Sequence, residues 1–406
     1  MNLAQTYRDK KILGWDRWIR FRDPARMTQA LSEASHKVTK RPFVVFVESH
    51  TKYGNARAIA FEYAKSHSAD EYLFLATSID GVEWATEKGI HAAKFRLNPS
   101  PENTKVWDLL FRASVAVYES HDFWRSREAM FKRALLSGAH RIQLWHGSTG
   151  PIGKEIGLAR LAAQPAMWHF TALATTSVGW DELVCEPNED EARRLDRVQA
   201  KSSIHDIEFR LVDVLRSGDY SKPSSNRIAV TPTFPETTQG EDAVIDWIIK
   251  LGSAAKELNC AVDAFLHPSS KPRLLKAISS AKGIALNESG FSSAKLKSYS
   301  AVVTDFSSIA HDALLIGTPV IMVTSDLENY VKSREILIDE EQWNASYIVN
   351  ETSMFSEVLV DCLGPDSKEK ARADYRSGLL GRIPGKPGEP TLMAVKRALE
   401  NNSKSF

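Results

Sequence analysis

The sequence predicts an α/β protein built from two doubly wound domains, and three observations predict it. Short, near-continuously apolar runs recur along the chain, as in strands covered on both faces. Helical segments with three- and four-residue apolar spacing separate them, the pattern of βαβ units around a parallel sheet. The series also breaks once and starts again. With 406 residues and 43% hydrophobic content, the chain is long enough for two cores.

The first series of strands reads "PFVVFVES" (42–49), "EYLFLAT" (71–77), "SVAVYES" (114–120), "RIQLWHG" (141–147) and "TALATTS" (171–177), with helices such as "NARAIAFEYAKS" and "WRSREAMFKRALLS" between them. "RSGDYSKPSSN" (216–226) has the Gly, Pro and Ser content of an exposed linker. The second series reads "RIAVTP" (227–232), "AVDAFLHP" (261–268), "GIALN" (283–287), "SAVVTD" (300–305) and "PVIMVT" (319–324). Its clearest helix is "GEDAVIDWIIKLGSAAKEL". The expected organisation is a first domain over 1–215, a linker over 216–226 and a second domain over 227–406 that includes the C-terminal tail. In such folds ligands bind beyond the carboxyl ends of the strands.

Charge and composition narrow the function. The net charge is +1, which argues against bulk nucleic-acid binding. Three scattered cysteines, Cys185, Cys260 and Cys362, give neither CxxC spacing nor a disulfide framework, so a reducing, cytoplasmic setting is expected. No apolar run reaches the roughly 18 to 20 residues of a membrane span. "RDKKILGWDRWIRFR" (8–22) places Ile12, Trp15 and Ile19 on one helical side among basic residues. It reads either as a helix on an anionic membrane surface or as one packed on the protein's own core. GxGxxG after the first strand, GxxxxGK[ST], HExxH and GxSxG are all missing, which removes support for dehydrogenase, P-loop kinase, metalloprotease and serine-hydrolase chemistry. No metal site and no cofactor are expected.

Polar groups gather where the strands stop. In "VVTDFSSIAHDALLIGTPVIMV", Asp305, Ser307 and Ser308 precede a helix whose first N–H groups lack intrahelical partners, a place for phosphate without a P-loop. Helix capping is the plainer role for Asp305 or Ser307. His267 is followed by Pro268, which keeps it extended; it could hold a phosphate oxygen or serve as an ordinary polar residue at a loop start. His146 ends the strand "RIQLWHG" ahead of the glycine-rich "STGPIGKEIG". An imidazole suits deprotonation of an alcohol near neutral pH; the alternative is a buried histidine bonding a carbonyl.

"QLWHGSTGPIGKEIG" and "VVTDFSSIAHDALLIGTPVIMVTSDLENY", together with "VFVESHTKYGNARAIAFEY", "IAVTPTFPE" and "FLHP", resemble in order the motifs of CDP-glycerol glycerophosphotransferases, over roughly residues 42–340. That family builds teichoic acids and related capsule polymers on a GT-B fold of two Rossmann-like domains facing a central cleft. The resemblance implies that the first domain holds the acceptor and the second a CDP-alditol donor. It implies that His146 is the catalytic base, that His267, Ser307 and Ser308 contact the donor diphosphate, and that Thr233 and Asp312, with Asp305, lie at the donor. Lys154 in the loop would neutralise developing charge, and Glu48, Glu119 and Asp122 are candidates to orient His146. The expected partners are CDP-glycerol or CDP-ribitol and a lipid-linked or polymeric saccharide acceptor, handled at the inner face of the membrane. The sequence departs from the family pattern at Ser148, in the longer loop after it, in the lack of an arginine in "TPTFPE", and in the ending "YRSGLLGRIPGKPGEPT". A GT-B glycosyltransferase using a nucleotide sugar and a catalytically silent component of a capsule assembly complex are the alternatives.

Overall fold

The computed structural model describes residues 24–48, 54–98, 100–119, 127–144, 152–153, 179–187, 200–221, 223, 225–233, 235, 237–267, 270, 272–287, 293–335 and 340–403. The chain divides into two compact units, one comprising Met1–His146, Glu155–Arg210 and Pro384–Phe406, the other Gly147–Lys154 and Leu211–Ile383.

The first unit carries a seven-stranded, all-parallel sheet. In chain order its strands are β1 (Arg41–Val47), β2 (Tyr72–Ala76), β3 (Ala92–Lys94), β4 (Ala113–Tyr118) and β5 (His140–Gln143). After the two-residue β6 (Ile152–Gly153) come β7 (Trp180–Cys185) and β8 (Ala200–His205). The spatial order β3-β2-β1-β4-β5-β7-β8 reverses direction between β1 and β4, which is a topological switch point. The runs in β1, β2 and β4 are apolar because helices cover both faces: Phe43–Phe46, Leu73–Leu75 and Val115–Val117 have no exposure. Ser78 and Ser100 cap the helices Ile79–Glu87 and Pro101–Arg112 by accepting from Gly81 N (3.0 Å) and Asn103 N (3.1 Å).

The second unit repeats the plan with six parallel strands: β9 (Arg227–Val230), β10 (Ala261–Ala264), β11 (Ile284–Leu286), β12 (Ala301–Thr304) and β13 (Val320–Val323), then β15 (Tyr347–Val349) after the two-residue β14 (Arg334–Glu335). The order β11-β10-β9-β12-β13-β15 places its switch point between β9 and β12. β14 pairs antiparallel with β6. Helix Thr238–Glu257, opened by the Thr237 hydroxyl accepting from Gly240 N, buries Val244, Trp247, Ile248 and Leu251 against this sheet.

Nine of the ten anticipated strands form within a few residues of their expected bounds; "TALATTS" lies outside the described residues. β3, β7, β8 and β15 were not anticipated. β8 (AKSSIH) is a partly exposed edge strand, and the interior β7 (WDELVC) carries Asp181 and Glu182 in mid-run, so neither shows a continuous apolar run.

Two domain boundaries are corrected. The stretch expected as a linker, 216–226, belongs to the second unit and is tied to it. Lys297 Nζ donates to the carbonyls of Asp219 (2.5 Å) and Ser221 (3.3 Å), and the Arg376 guanidinium lies 3.7 Å from the Tyr220 ring centroid. The tail expected in the second unit returns to the first. Its helix Glu389–Ser403 packs on β1, β4 and β8, and its start is held by Asp206, a residue with no exposure. Asp206 Oδ1 accepts from Gly388 N (2.9 Å), and Oδ2 accepts from Thr391 N (3.1 Å) and Oγ1 (2.6 Å).

Candidate functional site

In a parallel sheet every strand ends on the same edge, so residues far apart in sequence converge there. On the second unit that edge carries Thr231 and Thr233 after β9, His267 after β10, Asp305 to Ser308 after β12, and Thr324 to Asp326 after β13. Asp305 bridges the switch point. Its Oδ1 accepts from Thr233 N (2.8 Å), Thr233 Oγ1 (2.6 Å) and Phe306 N (2.7 Å), fastening the loop after β9 to the turn after β12. Burial pushes the Asp305 carboxyl above its ordinary range, against the opposing pull of the Thr233 and Phe306 hydrogen bonds. Phe306 turns inward and packs on Tyr330, with ring centroids 4.1 Å apart.

That turn presents Ser307 and Ser308, both half-buried, at the start of helix Ile309–Leu315. Ser307 Oγ accepts weakly from Ile309 N (3.4 Å), whereas the Ser308 hydroxyl makes no capping bond. Donors so placed suit anionic oxygens. His267 is exposed on the same edge, its carbonyl accepting from Ser270 N (2.8 Å). Asp312, expected near the donor, is fully buried in helix Ile309–Leu315.

On the first unit the equivalent edge is lined by buried carboxylates. Glu48, after β1, has both oxygens engaged: Oε1 accepts from Arg57 Nε (2.5 Å), and Oε2 from Thr77 N (2.8 Å) and Oγ1 (3.0 Å). It therefore ties β1, β2 and helix Asn55–Ala64 together. Glu119, after β4, is 1% exposed and packs against Gly54 at the start of that helix. A methyl group on Gly54 would fall 1.3 Å from Glu119 Oε1, so an alanine there would force that carboxylate to move. Asn55 accepts from Arg210 N (2.9 Å), and Arg210 Nε pairs with Glu208 (2.6 Å). His146, Lys154 and Asp122 lie outside the described residues, as does the basic segment 8–22 with Trp15 and Trp18. Arg57, Thr77, Gly54 and Arg210 escaped the sequence reading. The "KYGNARAIAFEY" motif held the signal for Gly54 and Arg57, and the strand ending "EYLFLAT" held that for Thr77.

Among the described residues no group of three or more His, Cys, Asp or Glu side chains could hold a metal ion, and no helix is long and apolar enough to cross a membrane.

Two doubly wound parallel sheets, each with polar side chains at its switch point, make up a GT-B fold. Solved structures with this architecture include the wall teichoic acid polymerase TagF (15% identity, TM-score 0.61, covering 99% of each chain) and a variant of it soaked with CDPG (15%, 0.60, 99% of this chain and 98% of that one). A putative UDP-N-acetylglucosamine 2-epimerase from Listeria monocytogenes is also similar (11%, 0.53, 89% and 97%). A search of curated proteins finds no match. The model of the family CDP-glycerol:poly(glycerophosphate) glycerophosphotransferase matches residues 84–378. The chain belongs to this family, and its class of activity is glycerophosphotransfer from a CDP-linked donor.

Proposed function

We propose that the protein transfers glycerol phosphate, or ribitol phosphate, from the CDP-alditol to a hydroxyl of a teichoic-acid- or capsule-like acceptor and releases CMP. The observation that carries this reading is the Thr233, Asp305, Ser307 and Ser308 cluster at the switch point of the second sheet, inside the span matched by the family. In the proposed reaction His146 takes the proton of the acceptor hydroxyl. The oxygen attacks the phosphorus of the alditol phosphate, a P–O bond forms, and the P–O bond to CMP breaks. Ser307 and Ser308, with His267, bind the diphosphate, while Lys154 offsets charge that develops on it. Phosphoryl transfer needs little covalent help, so positioning and charge stabilisation supply most of the rate. No cofactor enters this scheme. The acceptor is a lipid-linked saccharide or growing polymer at the inner face of the membrane, and the basic segment around Trp15 and Trp18 holds the enzyme there.

Incubating the protein with CDP-glycerol, CDP-ribitol and nucleotide sugars, and identifying the released nucleotide, tests this reading. CMP supports it. A nucleoside diphosphate supports a glycosyltransferase, and no turnover with any donor supports a silent binding component. His146→Ala should lower turnover about a hundred- to ten-thousandfold at nearly constant donor affinity.

A further inference from the structure

We propose that the hydroxyls of Thr231 and Ser270 form part of the donor site and donate hydrogen bonds to the diphosphate. This rests on the reading above and adds two residues to it. A folded chain pairs its buried hydroxyls, because an unpaired one gives up its bond to water with nothing in return. Among the described residues, the buried serine and threonine hydroxyls without a partner are those of Thr231 and Ser270. Both belong to the carboxyl edge of the second sheet. Thr231 directly follows β9, and Ser270 closes the turn after β10, its N–H donating to the His267 carbonyl (2.8 Å). The neighbouring hydroxyls are committed: Thr304 Oγ1 donates to the Thr231 carbonyl (2.6 Å), Thr233 Oγ1 donates to Asp305 Oδ1 (2.6 Å), and Thr237 Oγ1 accepts from Gly240 N (3.0 Å). The Thr231 N–H is also engaged, on the Val303 carbonyl (3.0 Å), which leaves Oγ1 as the open group of a residue only 7% exposed.

Strand order indicates what these hydroxyls meet. β9 lies between β10 and β12, so the ends of β10 and β12 stand two strand spacings, about 10 Å, apart. In the reading above the diphosphate meets His267 beyond β10 and Ser307 and Ser308 beyond β12. A ligand that touches both flanks crosses the end of β9, where Thr231 stands, and Ser270 extends the β10 flank. Hydroxyls suit that place, since each donates to an anionic oxygen without a charge of its own, and a charged acceptor makes the bond stronger than a neutral one does. Both oxygens are closed off from water in the free protein, so the side chains at this edge yield as the donor enters, and each hydroxyl gains its partner only then.

The test pairs calorimetric affinity for CDP-glycerol and for CDP with the melting temperature of the ligand-free protein. Thr231→Val keeps the shape of the side chain and removes the unpaired hydroxyl. It should melt no lower than the wild type yet bind both ligands about ten- to a hundredfold more weakly, the range of one hydrogen bond to a charged group. Thr231→Ser keeps the hydroxyl and should bind within about threefold of the wild type, while Ser270→Ala should weaken both ligands by at least about threefold. Unchanged affinity in Thr231→Val or in Ser270→Ala would overturn the proposal. So would weakening confined to CDP-glycerol, which would assign the hydroxyls to the alditol. A lower melting temperature for Thr231→Val would also overturn it, because the hydroxyl would then be paired already in the free protein. Failure of the wild type to bind either ligand would instead refute the donor assignment itself, and this proposal with it.

Discussion

Replacing Gly54 with alanine should destabilise the first unit, although its backbone (φ −89°, ψ 174°) is open to any residue. Gly→Ala at a compatible position ordinarily stabilises by about 0.4 to 1 kcal/mol through the unfolded chain. Here the new methyl would sit 1.3 Å from Oε1, 2.2 Å from Cδ and 2.5 Å from Oε2 of Glu119. The carboxylate must then retreat by about 2 Å to reach van der Waals separation. Glu119 is 1% exposed, so its carboxylate has to move within a buried setting. Overpacking of this kind costs about 1 to 3 kcal/mol, and moving the carboxylate from the helix start adds about 0.5 to 1 kcal/mol. A net loss of about 2 to 3 kcal/mol is expected. Urea denaturation followed by tryptophan fluorescence measures it, and Glu119→Ala completes a double-mutant cycle. Removing the carboxylate makes room for the methyl, so the double variant should be about 1 to 2 kcal/mol more stable than the two single effects predict. An unchanged midpoint for Gly54→Ala, or strict additivity, would refute the steric argument.

Asp206→Ala should cost about 3 to 5 kcal/mol, because it strands the Gly388 and Thr391 donors in a buried position, and amide hydrogen exchange across Glu389–Ser403 should accelerate. Unaltered exchange there would show that Asp206 does not hold the returning helix. Gly317→Ala places a side chain at φ +88° and 2.9 Å from the Tyr220 carbonyl, so a loss of about 1 to 3 kcal/mol should appear in thermal unfolding. Lys40 donates to the Phe111 carbonyl (2.7 Å) and to Ser35 Oγ (3.1 Å), and burial, reinforced by Arg112, lowers its pKa to about 7. Unfolded, a lysine titrates near about 10.4. Between these values the unfolded chain binds the proton that the folded one has released, so this group makes stability rise with pH through that window and leaves its full penalty below it. Lys40→Met should flatten that part of the stability profile; an unchanged slope would assign it to other groups.

The chain's own pattern determined the local elements and the order of the motifs. Apolar runs such as VVFV in β1 and AVVT in β12 are strands because only strands covered on both faces need such runs, and the turns at Thr233 and at Asp305 to Ser308 follow from where those runs stop. Edge strands and boundaries were harder to read. AKSSIH in β8 looks like a loop because half of its surface meets water, and the Ser- and Pro-rich stretch 216–226 looks like a linker although Lys297 and Arg376 bind it down. Only tertiary structure brought Asp305 to Thr233, 72 residues away, filled the space beside Gly54 with Glu119, and returned the last helix to Asp206, 185 residues before Thr391. The physical reason is that periodicity reports which side of an element faces the core. Which buried acid meets which donor depends on strand order in the parallel sheets, and that order is decided only when the whole chain packs.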